Sequence, residues 1–229
     1  MKKLFNLILA LCVVGLLVIC FLSIHNTQQF AAEVEQREAA TKARLLQIRA
    51  AQEEYKIQTE DRHYCDSLWK LVEFVRTGKI AKIVKEGVLT DEQMEKGLTE
   101  SKAAAIVNSG DAAAIAEYKL EGFRRDTTWV NLKDSLFGPD FNCDSLKFIP
   151  FADEDSFELI TYATLTRGGD IQHIMQCSAP YSSILKNMGR NGEREVVNRQ
   201  QLADDAGKYA GLKIGDLYNW NNNAGNWEE

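Results

Sequence analysis

Cysteine, proline and histidine are scarce in this 229-residue chain, at five, three and three. Cys12, Cys20, Cys65, Cys143 and Cys177 lie too far apart for any C-x-x-C pair, and His25, His63 and His173 are equally scattered. Zinc-ligand spacing is therefore absent, and with it the usual sequence case for a metalloenzyme. Neither G-x-x-x-x-G-K-S/T nor G-x-G-x-x-G occurs, which removes the common nucleotide loops and leaves no cofactor implied. A basic excess is missing as well: 27 Lys and Arg stand against 33 Asp and Glu, a net charge of −6, or −8 once Lys2 and Lys3 are set aside. That balance argues against nucleic acid as a partner.

What the sequence does have is one long uncharged run. Leu4 to Ile24 is broken only by Asn6, Gly15 and Ser23, and as a helix it is about 32 Å long, enough to cross a bilayer core. The alternatives fit less well. A cleaved secretory signal has a shorter apolar region and a small-x-small site, which Leu22-Ser23-Ile24-His25-Asn26 lacks. A lipoprotein signal needs a small residue before the acylated cysteine, whereas Cys12 follows Leu11 and Cys20 follows Ile19. Lys2 and Lys3 precede the run, and the next base is Arg37. The positive-inside rule then predicts a cytoplasmic N-terminus and a single pass through the inner membrane, with the remainder periplasmic or extracellular. Out there, Cys65, Cys143 and Cys177 allow one disulfide of unassignable pairing, or serve as three small buried hydrophobes.

Beyond the membrane, no Gly or Pro occurs from Leu16 to Thr77, and residues 30–58 are rich in helix formers. The helix is expected to continue as a stalk over 25–62, supported by Glu33–Arg37 and Glu38–Lys42 pairs. Leu45, Ile48 and Tyr55 are better spaced than Phe30 and Val34, which predicts a solvated lower half and packing on a head from about residue 45. A heptad frame through Phe30 and Val34 puts Arg37 at a core position and disfavours a self-sufficient coiled coil.

The head is expected over 63–229. Asp66 or Ser67 caps a helix with Leu68, Leu71, Val72 and Val75, ended by Gly78; Thr90 with Gln93 forms a capping-box pattern. Ser101 to Asn108 and Asp111 to Leu120 read as peripheral helices. Thr127 to Leu132 and Ser156 to Leu165 read as strands, and Arg167-Gly168-Gly169-Asp170 as a hairpin turn into Ile171 to Cys177. Pro139 and Pro150 bracket a loop with an extended end. Tyr181 to Met188 reads as a helix closed by Gly189, and Arg194 to Asn198 as an edge strand. Trp220 and Trp227 in the polar C-terminal segment predict that it docks on the body.

Several motifs imitate chemistry. Ser-x-x-K, which sets a lysine amine one turn from a nucleophilic serine, occurs at Ser183–Lys186 and again at Ser67–Lys70, but its companion boxes are missing. Asp140, Asn142 and Asp144 mimic a calcium loop in which Ser145 replaces the needed Gly and Phe151 the closing Glu. The run Asp153-Glu154-Asp155 reads as a solvated loop, and His173 as a lone imidazole. No catalytic residue is assigned, and an envelope hydrolase would have only Ser183 and His173 to draw on.

A membrane helix that continues outward and then covers an antiparallel sheet is the plan of type IV pilins and pseudopilins, and Leu45-Leu46-Gln47-Ile48-Arg49-Ala50-Ala51-Gln52-Glu53-Glu54-Tyr55-Lys56 is similar to the stretch in which a pilin helix leaves the bilayer. A pilin's peptidase site ending in Gly and its acid five residues into the mature helix have no counterpart: Lys3 runs into Leu4, and no acid precedes Glu33. That segment, with Asp66-Ser67-Leu68, Phe74-Val75, Asp134-Ser135-Leu136-Phe137, Asp144-Ser145-Leu146-Lys147-Phe148-Ile149-Pro150-Phe151, Gly211-Leu212-Lys213-Ile214-Gly215 and Gly225-Asn226-Trp227-Glu228, resembles an uncharacterised family of single-pass envelope proteins of Bacteroidota. The resemblance implies an address and no catalytic residues. The expectation is an α+β protein in which a transmembrane helix continues into a long helix packed on a small antiparallel sheet, with peripheral short helices. Its partners are lipid through residues 4–24 and envelope proteins or further copies of itself. Phe30, Val34, Trp129, Trp220 and Trp227 are the candidate interaction residues, the tryptophans also serving the alternative of a head that binds a glycan, peptide or small molecule.

Overall fold

The computed structural model describes the backbone of residues 2–95, 97–166, 168–218 and 221–228, and the side chains of the same residues other than 2–5, 7, 8, 10, 83–85 and 125–127. In chain order the elements are α1 (Lys2–Gln58), α2 (Leu68–Thr77), β1 (Lys79–Glu86), α3 (Asp91–Glu95), α4 (Glu100–Ser109), α5 (Ala112–Glu117), β2 (Arg124–Asn131), α6 (Leu132–Leu136), a 3-10 helix (Cys143–Lys147), β3 (Glu158–Leu165), β4 (Ile171–Pro180), α7 (Tyr181–Ile184), α8 (Gly189–Asp205) and β5 (Gly211–Ile214). They form two compact units. One joins Met1–Phe74 to Asn142–Glu229, and the other is Val75–Phe141. The single head expected over 63–229 is thus divided.

Helix α1 is continuous because its sequence holds no breaker: Gly15 is its one glycine, with open space where a Cβ would stand. It is long and apolar enough in its N-terminal part to span a membrane. Its upper part behaves differently. Val34, Arg37, Thr41, Leu45, Ile48 and Gln52 recur at steps of three and four and are all buried. Packing therefore begins at Val34, about three turns below Leu45, where apolar spacing alone put it. The correction has a physical source. Two of the three extra buried positions, Arg37 and Thr41, are polar, and a search for apolar periodicity passes over them.

Each of those polar side chains has a partner, although Arg37 Nε itself is buried without one. Arg37 donates to the Lys186 carbonyl at 2.6 Å and, at 3.4 Å, to that of Ile184. Thr41 donates to the Arg37 carbonyl at 2.8 Å within the helix. Gln52 clamps Cys65 from both sides, accepting its N–H at 2.8 Å and donating to its C=O at 2.9 Å, as a neighbouring strand would. A buried amide left without such partners would cost several kcal/mol, by the usual range of about 1–3 per group.

Strands β3, β4 and β5 form an antiparallel sheet in that order, with α1 lying against β4 and β5. The β3–β4 hairpin follows its expected register from Glu158↔Ser178 to Leu165↔Ile171. Its turn closes with the Thr166 N–H on the Asp170 carbonyl at 2.9 Å and Gly169 at φ 88°; Arg167 lies outside the described residues. Met175, Cys177, Ala179 and Ile214 on the sheet, and Leu45 and Ile48 on α1, are all fully buried. Tyr55 is half-buried and packs edge-on against Phe74 and His63.

Two expectations fail in the C-terminal third. Arg194 to Asn198 is not an edge strand but part of α8, since Val196 and Val197 are isolated among good helix formers and tertiary packing outweighs their β preference. Gly189 opens that helix instead of closing the previous one, which stops at Ile184. Gly192 allows the helix to close on its own lead-in, because a Cβ there would lie 2.6 Å from Met188 Cβ. Strands β1 and β5 carried no sequence forecast. The loop between Pro139 and Pro150 holds the 3-10 helix, while its extended end survives as a Phe148↔Ser156 bridge. Gly78 follows α2 without the left-handed conformation expected of a helix-ending glycine.

The Val75–Phe141 unit is an antiparallel β1–β2 ribbon, from Lys79↔Asn131 to Glu86↔Arg124, with α3 to α5 gathered at its tip. Leu89, Leu98, Ala103, Leu120 and Phe123 form the tip's small core. The capping forecast holds there, the Thr90 N–H donating to Gln93 Oε1 at 2.8 Å, and Asp111, which carried no such forecast, also caps its helix, its Oδ1 accepting from Ala113 and Ala114.

Candidate functional site

The head's most built surface lies where α1 ends. Arg62, at φ 49°, turns the chain out of the helix, and Thr59 donates to the His63 carbonyl across the turn. Residues 63–66 then run back beside α1, held by Gln52. A knot of polar groups fixes the return: Lys56 donates to Tyr64 Oη at 3.0 Å, and Asn223 donates to the same oxygen at 2.8 Å and to Glu53. Asn223 belongs to the C-terminal segment, which is docked as expected. Gly215 N–H donates to the Ala224 carbonyl and Asn226 N–H to that of Lys213, both at 3.0 Å.

Two hollows open on this surface and share Asp66 in their walls. The first, about 330 Å³, is lined by Tyr55, His63, Asp66, Lys70, Ala163 and His173 among others. Here the hairpin register, Ala163 opposite His173, carries His173 to His63, with ring centroids 6.1 Å apart. Two imidazoles far apart in sequence thus meet, which no local spacing could show. Among the described residues no three His, Cys, Asp or Glu side chains are placed to hold a metal ion.

The second hollow, about 500 Å³, lies between the first turn of α2 and the start of β3. Leu68, Phe148, Phe157 and Leu159 give it apolar walls, and Trp69 stands at its rim, 67% exposed. Lys147 is its cation. Asn142 caps the 3-10 helix by accepting from Asp144 N–H at 3.0 Å, so the imitation calcium loop is a capped turn. At the end of that turn the Lys147 side chain is only 7% exposed, with Nζ 3.6 Å from the Trp69 ring centroid, 5.0 Å from that of Phe148 and 3.4 Å from Asp144 Oδ1. Neither Trp69 nor Lys147 stood out in the sequence. A tryptophan on an amphipathic helix and a lysine after a polar turn are ordinary until folding stacks them.

The Ser-x-x-K pairs have lost the chemistry they imitate. Lys186 bonds Asp155 at 2.7 Å, and that hydrogen bond pushes the lysine up and the carboxyl down from their usual ranges. Lys70 bonds Asp66 at 3.0 Å with the same consequences. Both amines are held protonated, the opposite of what a general base requires. Cys65, Cys143 and Cys177 are buried and form no disulfide with one another, and burial drives the thiols of Cys65 and Cys177 above the ordinary range.

The five interaction candidates separate. Val34 is buried in its own fold, so its side chain is not a surface. Phe30 is half-buried. Trp129, on β2, is 67% exposed. Trp227 is half-buried beside Gly225, with Lys42 Nζ 6.0 Å from its ring centroid. Trp220 lies outside the described residues. Comparisons of the chain with protein-family models, with curated proteins and with solved structures find no match.

Proposed function

We propose that this is a single-pass membrane protein of the cell envelope, with a cytoplasmic N-terminus and a periplasmic or extracellular head, acting as a structural or scaffold subunit of a pilus-like, secretion or other envelope assembly. The observation that carries the reading is α1 itself. One helix runs without a break from an apolar segment able to cross a bilayer to a stripe buried in the head. A tether that only retained the head near lipid would tolerate a flexible linker, whereas this one is fixed at the head by Arg37 and Gln52. The helix over an antiparallel sheet also supports the pilin-like plan. Protease protection in spheroplasts, with in-cell cross-linking and native mass spectrometry of the full chain, tests it. A head degraded only from outside, in complexes larger than one copy, is expected. A strictly monomeric protein without envelope partners overturns it.

The hollow beside Trp69 favours a second reading, in which the tethered head binds a ligand. A preformed hollow with apolar walls and a few convergent charged groups, here Lys147 with Asp66 and Glu154, is the usual form of a binding site. Changes in tryptophan fluorescence during ligand titration test this, and a Trp69→Phe chain that responds like the parent overturns it.

A further inference from the structure

We infer that the outer edge of β3 is a docking site for an extended, uncharged segment of another polypeptide, which adds to the sheet as a strand antiparallel to β3. The inference deepens the scaffold reading above by naming how a partner protein is held, and it rests on that reading where it excludes a second copy.

The edge already carries the beginning of such a strand. Lys147 to Ile149 runs antiparallel to Asp155 to Phe157, with the Phe157 N–H donating to the Lys147 carbonyl at 3.0 Å and the Ile149 N–H to the Asp155 carbonyl at 2.8 Å. Upstream of Lys147 the chain turns into the 3-10 helix, and this short ladder stops. Asp155 and Phe157 thus turn their main chains away from β4, and by the alternation of a regular strand Leu159, Thr161 and Ala163 do the same. Among the described residues no main-chain group pairs with these three on that side.

Edge strands are normally blunted by lysine, proline or a bulge. β3 has none of these: its register with β4 is unbroken from Glu158 to Leu165, and no charged residue follows Glu158 within it. Ile160 and Tyr162, on one face of the strand, are 39% and 61% exposed. They favour β-branched and aromatic cross-strand neighbours, and an uncharged stretch gives a charged neighbour nothing to pair with. In an added strand of this kind, main-chain bonds supply affinity and alternate side chains supply specificity.

A second copy is excluded as the occupant. α1 lies against the sheet, and pairing two β3 strands antiparallel needs a twofold axis normal to that sheet. Such an axis points the copy's α1 the opposite way, so two copies anchored in one membrane cannot meet there. Nor can β3 join the β5 of a copy, because the C-terminal segment closes that edge, the Asn226 N–H donating to the Lys213 carbonyl at 3.0 Å.

The test uses the full chain in nanodiscs and fluorescein-labelled Ser-Val-Thr-Ile-Thr-Val-Ser with a C-terminal amide, read by fluorescence anisotropy. Two N-methylated forms are compared with it, one methylated at Val and Ile and the other at both Thr. Alternate N–H groups of a strand face opposite sides, so one form is expected to bind about tenfold or more weakly than the parent and the other nearly as well. Thr161→Pro removes one outward N–H, spares the bonds to β4 and should weaken the parent peptide roughly fivefold. Amide-resolved hydrogen exchange should show Leu159, Thr161 and Ala163 newly protected by the peptide, with Ile160 and Tyr162 slow throughout. Thermal melting checks that the variant is folded, and exchange on the unaltered chain decides the matter if it is not. Equal binding by both methylated forms, or no binding of the parent peptide, overturns the inference. Either result leaves the scaffold reading standing, since cross-linking judges that separately.

Discussion

The two halves of α1 share one backbone and obey different rules. Below, from Leu11 to Ile24, the described side chains are exposed and nearly all apolar, the composition of a helix that would suit lipid on every side. Above, from Val34 to Gln52, a single stripe is buried and a third of its members are charged or carry amides. On the proposed membrane reading the lower half needs only hydrophobicity, because any apolar residue satisfies a bilayer. The upper half needs particular residues, because each must meet a particular carbonyl, amide or side chain of the head. The same change should therefore have different consequences in the two halves.

The largest contrast is expected between Leu45→Ala and Leu17→Ala. The first opens a cavity beneath β4 and β5 and should cost the head about 2–5 kcal/mol, read by thermal or urea unfolding in detergent. The second should leave head stability within about 0.5 kcal/mol. Equal effects would mean that the two halves are not different environments. Gln52→Ala comes next, at about 2–4 kcal/mol, since it strands both the N–H and the C=O of Cys65 in the interior. Gln52→Glu sharpens the point, because it keeps the acceptor for the N–H and loses the donor to the C=O.

Smaller effects separate the two units. Asp111→Ala removes the cap of α5 and should cost about 1 kcal/mol within the Val75–Phe141 unit, with hydrogen exchange near Leu45 unchanged. The smallest effect is one of pH. Asp155 has its carboxyl lowered by hydrogen bonds from Lys186 and Ser183. A lowered folded value means that its contribution is present above the unfolded value, roughly pH 4, and is lost as pH falls through the folded one. Asp155→Asn should flatten that acid limb slightly and leave stability near neutral pH little changed, the pair being partly exposed.

How much of this was legible depended on whether the signal was local. The long apolar helix, the β3–β4 hairpin and the capping box at Thr90 are written in neighbouring residues, and all appear in the structure. Arg37 was visible as an awkward core position in a heptad, and its burial has the partners that a heptad frame could not supply: the carbonyls of Ile184, which ends α7, and of Lys186 just beyond it. Strand β5, four residues long, gains its identity from pairing with Cys177 to Pro180 and from the C-terminal segment folded beside it, so it had too little sequence of its own to announce it. The candidate hollow was illegible for the same reason. Trp69, Lys147 and Leu159 are ordinary residues on three separate elements, and only the fold puts an ammonium against an indole face.

The central claim is that α1 is one rigid rod from lipid into the head. Spin labels at Phe21→Cys, inside the apolar run, and Ala39→Cys, above the first buried residue, are eighteen positions and five full turns apart, so they lie on one face. With Cys12 and Cys20 replaced by alanine and the protein in nanodiscs, electron–electron double resonance should give one narrow distance near about 27 Å. A broad distribution, or a distinctly shorter distance, would show a hinge between membrane and head and contradict the account.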